Sequence, residues 1–264
     1  MSRILRIGGQ RAILEVKASL RNGQSLGFTL IFPIVLLVLF ATIFGGKIKG
    51  TGVSVAQYYV AGIMGSVVMS TGFVSTAISV AFDRDAGLLK RLAGTPMPKA
   101  SFFIGRVVAV FLLVLAQAAI LIILGMVFYH LSLPSSAARW FTFAWVIVLG
   151  TLTSALLGLA VGGRIRNAKA GPAVVNLPFI VLQFISGVFL PFSDLSATLK
   201  SISGLFPLRW LAQGMRSVFL SDSYQTVEEH GSWQHGRMFI TLMIWLVVSL
   251  ALCLTTFKWV DERR

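Results

Sequence analysis

Acidic residues are scarce. The 264-residue chain has nine, at Glu15, Asp83, Asp85, Asp194, Asp222, Glu228, Glu229, Asp261 and Glu262. None falls at the midpoint of an apolar run, so no carboxylate is placed to carry protons or sodium through a bilayer. Histidine is equally thin, and His130, His230 and His235 all lie between apolar runs. A single cysteine, Cys253, excludes an intramolecular disulfide and a thiolate metal cluster, and its apolar surroundings give it a packing role. The nearest approach to a phosphate-binding loop is ATIFGGKI, Ala41 to Ile48. It has Gly46-Lys47, but Ala41 replaces the first glycine and Ile48 the Ser or Thr, so the chain is not itself an ATPase. Intramembrane hydrolysis is excluded because the runs carry hydroxyls without a His or Asp in reach. EEHGSWQH, Glu228 to His235, contains metal-binding side chains at no recognised spacing and reads as a solvated loop. No catalytic, cofactor-binding or metal-binding residue is therefore assigned.

Charged residues make up 12% of the chain and hydrophobic ones 56%, a membrane composition. The formal charge of +14 does not indicate nucleic acid, because the basic residues punctuate apolar runs and form no basic face. Six apolar segments, at 28–46, 57–82, 102–129, 141–163, 173–192 and 238–257, each approach or exceed the roughly 20 helical residues that cross about 30 Å of hydrocarbon. Backbone satisfaction in lipid makes each a helix. The expectation is an all-α integral membrane protein forming one transmembrane domain over 1–264. It comprises an N-terminal segment at 1–27, a six-span bundle at 28–257 and a tail at 258–264.

Lysine and arginine set the orientation. Arg3, Arg6, Arg11, Lys17, Arg21, Arg84, Lys90, Arg91, Lys99, Arg164, Arg166, Lys169, Lys258, Arg263 and Arg264 fall on one side. The other side has only Lys47, Lys49, Arg139, Lys200, Arg209, Arg216 and Arg237, with Arg106 inside the start of the third run. Both termini and the segment after the second run are thus expected in the cytoplasm. Between Arg11 and Arg21, Ile13, Val16 and Leu20 share a helical face while Arg11, Glu15, Lys17 and Arg21 lie elsewhere, which suits a helix on the inner membrane surface facing anionic lipid.

Within the runs, Gly150, Ser154, Gly158 and Gly162 recur every fourth residue and make a groove for close helix contact, inside the protomer or between subunits. Gln117, Asn176 and Gln183 are the deepest strongly polar side chains, and either line a path or bond between helices. The stretch DRDAGLLKRLAGTPMP joins runs two and three. Gly87 permits a bend after Asp83, Arg84 and Asp85. LLKRLAG then makes about two helical turns, with Leu89 and Leu92 forming an apolar ridge beside Lys90 and Arg91, before Gly94, Thr95 and Pro96 stop it.

That acidic-basic-acidic cluster, followed by Gly87, leucines and Thr95-Pro96, resembles the cytoplasmic loop of type-2 ATP-binding-cassette exporter permeases. FISGVFLPFSDLSATLKSISGLFPLRWLAQGMRSVF, Phe184 to Phe219, is similar to the family's fifth-span exit, with the SGVFLP element, Pro207 and Arg216. Aspartates stand where the family more often has glutamates, Leu88 where threonine is common, and Phe206 where asparagine is common. The resemblance implies a transport subunit forming half of a pathway for an amphipathic drug, lipid or glycolipid-like substrate. It implies a second permease protomer, identical or paralogous, and two cytoplasmic ATPase subunits that bind ATP and Mg. Asp83, Arg84, Asp85, Gly87, Leu88, Leu89, Lys90, Arg91, Leu92, Thr95 and Pro96 are then the ATPase-coupling segment, in a bacterial cytoplasmic membrane. Ser193 or Asp194 is expected to cap a short outer helix ending near Gly204, with another from Pro207 to about Phe219, both partly sunk in the outer leaflet. The competing reading is a secondary carrier or channel without an ATPase.

Overall fold

The computed structural model describes residues 2–21, 23–165 and 167–257, without the side chains of 2, 23–26 and 28–30; Arg166 and the tail at 258–264 lie outside the described residues. Among the described residues there is no strand, only an isolated bridge between Lys47 and Ser54. The helices are α1 (Ser2–Arg21), α2 (Gly23–Ile43), α3 (Val55–Met69), α4 (Thr76–Asp85), α5 (Leu88–Ala93), α6 (Lys99–Tyr129), α7 (Ala137–Gly162), α8 (Gly171–Ile185), α9 (Ala197–Ser203), α10 (Pro207–Phe219) and α11 (His235–Thr256). A π turn at Ser70–Ser75 joins α3 to α4 in one continuous rod. Among the described residues, five segments are long and apolar enough to cross a membrane: Val55–Asp85, Lys99–Tyr129, Ala137–Gly162, Ala168–Ile185 and His235–Thr256. The first apolar run lies in α2, whose described apolar stretch, Ile31–Ile43, is shorter. Helix α2 stops at Ile43 rather than 46 because Gly46 turns at φ 109°.

Local chemistry explains the starts. Ser54 and Gln57 form a reciprocal capping box on α3, Ser136 caps α7, and Pro207 opens α10, where its missing N–H costs nothing. The helix of the fifth apolar run, α8, ends at Ile185, not 192. Gly187, at φ 77°, reverses the chain there, and the Tyr58 hydroxyl donates to Gly187 O at 2.9 Å and accepts from Phe192 N at 3.1 Å. Ser196, rather than Ser193 or Asp194, caps α9.

The centre of the bundle is α3, α7 and α10. Every residue of α10 is buried, so it is an internal strut rather than a helix lying loosely in the outer leaflet, whereas Leu199, Ile202 and Leu205 around α9 are exposed. The small residues of α7 face inward. A Cβ on Gly158 would come 2.7 Å from Gly72 O, one on Gly162 2.5 Å from Ala77 O, and one on Gly150 2.4 Å from Leu211. Ser154 fills the space opposite Gly72. This stripe lets α7 pack within the protomer against α10 and against the rod of α3 and α4, called the second span after the second apolar run, with backbones closer than larger residues permit. Helices α2, α8 and α11 lie outermost and present exposed Val, Leu, Ile and Phe, as lipid-facing helices do.

Candidate coupling segment and polar interior

Helix α4 closes with Ala86 N donating to Phe82 O, and Gly87 at φ 71° swings the chain into the six residues of α5. The Thr95 hydroxyl donates to Leu92 O at 2.7 Å, and Pro96 and Pro98 lead into α6. The expected apolar ridge is not presented outward. Leu89 is 1% exposed and packs with Val80, Phe102, Leu159, Ala160 and Cys253, and Leu92 leans on the same cluster. A leucine so close to the membrane gains more by filling the gap between α4, α6 and α7 than by facing solvent. What α5 exposes is polar and basic: Lys90, Arg91, Gly94, Thr95 and Pro96, together with Asp85 just before it, while Leu88 and Gly87 are half-buried.

Asp83 and Arg84 also turn inward. Arg84 donates to Gly163 O at the end of α7. Asp83 lies 2.5 Å from Arg106 Nη2, and Arg106 Nη1 is 2.5 Å from Glu15 Oε2, which places a second-span carboxylate and an α1 carboxylate on one guanidinium. Arg11 completes the group, 3.1 Å from Glu15 Oε1 and with its guanidinium carbon 4.7 Å over the Phe102 ring. Burial pulls the Arg11 pKa down and Glu15 opposes this shift. Two cations and two anions balance.

This network revises the reading of α1. Ile4, Ile7, Gly8, Arg11, Ala12, Glu15 and Ser19, at intervals of three and four, form its least exposed face, and that face lies on α6. Gly8 and Gly105 allow the approach: a Cβ on Gly105 would meet Arg11 Cβ at 2.8 Å, and one on Gly8 would meet Ile104 at 2.9 Å. Arg11 and Glu15, expected on the outer charged side, are inside. Ile13 and Leu20 are exposed and Val16 is half-buried, alongside exposed Arg3, Arg6, Lys17 and Arg21. The sequence signal for this face was present in the spacing of Gly8, Arg11, Ala12 and Glu15. Arg106, stranded in an apolar run, was the sign that a carboxylate had to meet it.

Two of the three polar side chains noted in the spans are tied up inside. Gln117 Oε1 accepts from the Thr71 hydroxyl at 2.8 Å, and Gln183 Oε1 accepts from the Ser66 hydroxyl at 2.9 Å. They fasten the second span, at and above its π turn, to α6 and α8. A π turn widens the ladder by one residue and commonly marks a point where a helix has a role beyond packing. Asn176 is half-buried on α8.

A second charged group lies on the other side of the bundle. Arg209 Nη2 is 3.4 Å from Glu228 Oε2, and Arg216 Nη1 is 3.9 Å from Glu228 Oε1. Arg216 Nη2 donates to Gly187 O. The guanidinium carbons lie 3.5 Å over Phe192 for Arg209 and 4.1 Å over Tyr58 for Arg216. Burial lowers the Arg209 pKa, Glu228 opposes the shift and Arg216 adds to it. Glu228 is therefore not in a solvated loop, and Trp233 beside it is buried too, stacked on Tyr224. Among the described residues no cluster of His, Cys, Asp and Glu could hold a metal ion.

A family model described as ABC-2 type transporter matches residues 12–220 of the chain. YbhR of Escherichia coli strain K12, named as a multidrug ABC transporter permease, is 24% identical over 160 residues, which is 61% of this chain and 43% of YbhR. The chain thus matches less than half the length of that relative. YvfS of Bacillus subtilis, named as a transport permease, is 21% identical over 202 residues, 75% of this chain and 79% of its own. The ycf38 protein of Porphyra purpurea, also named as a transport permease, is 28% identical over 227 residues, 83% of this chain and 75% of its own.

Proposed function

Because the chain belongs to the ABC-2 type transporter family, we propose that it is the permease subunit of an ATP-driven exporter. In this reading it crosses a bacterial cytoplasmic membrane six times, α2 supplying the first crossing, with both termini inside. It forms half of the translocation pathway beside a second permease protomer. Two copies of a separate cytoplasmic ATPase subunit bind ATP and Mg and supply the work. The chain itself contributes no catalytic group. The cargo is an amphipathic drug, lipid or glycolipid-like molecule, a reading supported by the exposed apolar faces of the outer helices and by the word multidrug in the name of YbhR.

The observation that carries the coupling role is the way α5 is anchored. It is a short polar knob whose one fully buried side chain, Leu89, is locked among α4, α6 and α7. The Glu15, Arg106 and Asp83 network fastens α1 to the same region. A push on Lys90, Arg91 or Thr95 is thus delivered to three spans at once, because packed interiors shift as units. The ATPase seats on the exposed residues of α5, and α1 moves with it. Asn176 is the pathway candidate left once Gln117 and Gln183 are assigned to internal bonds.

The test is co-purification of the tagged full chain from its native membrane. The proposal requires an ATPase of ABC type in equal amount. Purified chain alone in vesicles, concentrating a solute under an imposed proton or sodium difference, would overturn it.

A further inference from the structure

Helix α10 has a polar face inside the protein. Arg209, Gln213 and Arg216, four and then three residues apart, point the same way, and none is more than 1% exposed. One enclosed carboxylate, Glu228, faces two guanidinium groups, and Glu229 acts on Arg209 only from the more exposed rim, so the enclosed group itself has one positive charge in excess. The shortfall is also visible atom by atom. Four buried donors, Arg209 Nη1, Arg216 Nε, Arg216 Nη1 and Gln213 Nε2, have no hydrogen-bond partner, against two buried acceptors in the same state, Gln213 Oε1 and Glu228 Oε1, so donors exceed acceptors. Buried donors in folded proteins are nearly always satisfied, and an unpaired buried charge is costly. The second permease protomer cannot supply the missing acceptor, since these side chains are already enclosed within one chain. The other groups around them are Tyr58, Phe192, Gly187 O and the Glu228 loop, and Gly187 O already accepts from both Arg216 and Tyr58.

We propose that the Arg209, Gln213 and Arg216 face of α10 is a binding site for a small inorganic anion of the size of chloride. Such an ion brings the group to neutrality and accepts from guanidinium and amide N–H groups that converge from one helix face. A larger oxyanion ester does not suit a site walled by Phe192, Tyr58 and Tyr224. Access is from the side of the Glu228 loop, where Trp233 stacks on Tyr224 and Tyr224 leans on Tyr58 at 5.7 Å between ring centroids. Trp233 also lines a surface cleft of about 490 Å³ with Arg139, Asp222 and His235. The ion fixes α10, and with it the reversal at Gly187, against the second span. This holds whether or not the chain works with an ATPase.

The test is thermal unfolding of the purified full-length chain in sodium chloride against sodium gluconate at equal ionic strength. The midpoint is expected to rise saturably with chloride, and bromide should substitute. Glu228→Gln removes the competing carboxylate and should lower the half-saturating chloride concentration by roughly tenfold. Gln213→Leu keeps both charges and should raise it. Arg209→Gln should abolish the response, while Arg139→Gln, at the exposed pair with Asp222, should leave it intact. Equal midpoints in chloride and gluconate, or the same chloride response in wild type, Glu228→Gln and Gln213→Leu, would overturn the assignment.

Discussion

Arg106 Nη1 lies 2.5 Å from Glu15 Oε2 across 91 residues of chain, and the same guanidinium holds Asp83 at 2.5 Å. One side chain thus joins α1, the C-terminal end of α4 and the first turns of α6. Removing it leaves two carboxylates facing each other with only Arg11 nearby. Replacing Arg106 with Met should destabilise the protein by about 3 kcal/mol, the scale for breaking an enclosed ion pair. Adding Glu15→Gln to that variant should recover part of the loss. A thermal unfolding series of the single and double variants in detergent measures both.

The packing of α7 makes a sharper structural prediction. A Cβ on Gly158 meets the carbonyl oxygens of Gly72 and Phe73 at 2.7 and 2.8 Å, and backbone cannot swing aside. Gly158→Ala should cost about 1–3 kcal/mol. Gly9→Ala, where nothing lies within 4 Å, should instead raise stability by up to about 1 kcal/mol through helix propensity. The same unfolding assay separates the two.

The polar pair at the π turn is tested by a double-mutant cycle. Gln117→Leu strands the Thr71 hydroxyl and should cost about 1–3 kcal/mol. Thr71→Val combined with Gln117→Leu should cost less than the sum of the two single changes. Additive losses would mean that the bond does not couple the two spans.

Much of this architecture was legible along the chain, and what was hidden has a common physical cause. The five long apolar spans could be read because a bilayer fixes their length and composition locally. Ser54, Ser136 and Pro207 could be read because caps are local. Leu89 could not be oriented, because LLKRLAG has leucines at 88, 89 and 92 and only the gap beside Phe102 and Leu159 decides which of them turns in. Glu228 looked solvated in EEHGSWQH, since its partners lie 19 and 12 residues earlier on a helix that is itself enclosed. The α7 stripe announced close packing but not its partner. Gly72, opposite it, sits in a π turn that no periodicity reveals. Long-range electrostatics and the filling of gaps, which the linear pattern does not encode, account for these differences.

The orientation of Leu89 changes the mutational test of coupling. Leu89→Asp would bury a carboxylate and should destabilise the fold by about 3 kcal/mol, so loss of transport in it would report folding alone. The informative variant is Lys90→Glu with Arg91→Glu, both exposed. It should leave the unfolding midpoint within about 1 °C, because such surface changes are usually worth under 0.5 kcal/mol. It should weaken ATPase association at least about tenfold, ~1.4 kcal/mol. Binding assays with the co-purified ATPase measure the second effect.

In the proposed function, work enters through the outward residues of α5 and of the turn that follows it. Site-specific photo-crosslinking in native membranes tests it most directly, with a photoreactive residue placed at Arg91, at Thr95 or, as a control on the opposite side, at Leu205. Positions 91 and 95 are expected to capture a protein identified by mass spectrometry as an ATPase of ABC type, and position 205 is not. Folded full-length chain that captures no such ATPase from either position, or captures it equally from 205, would contradict it.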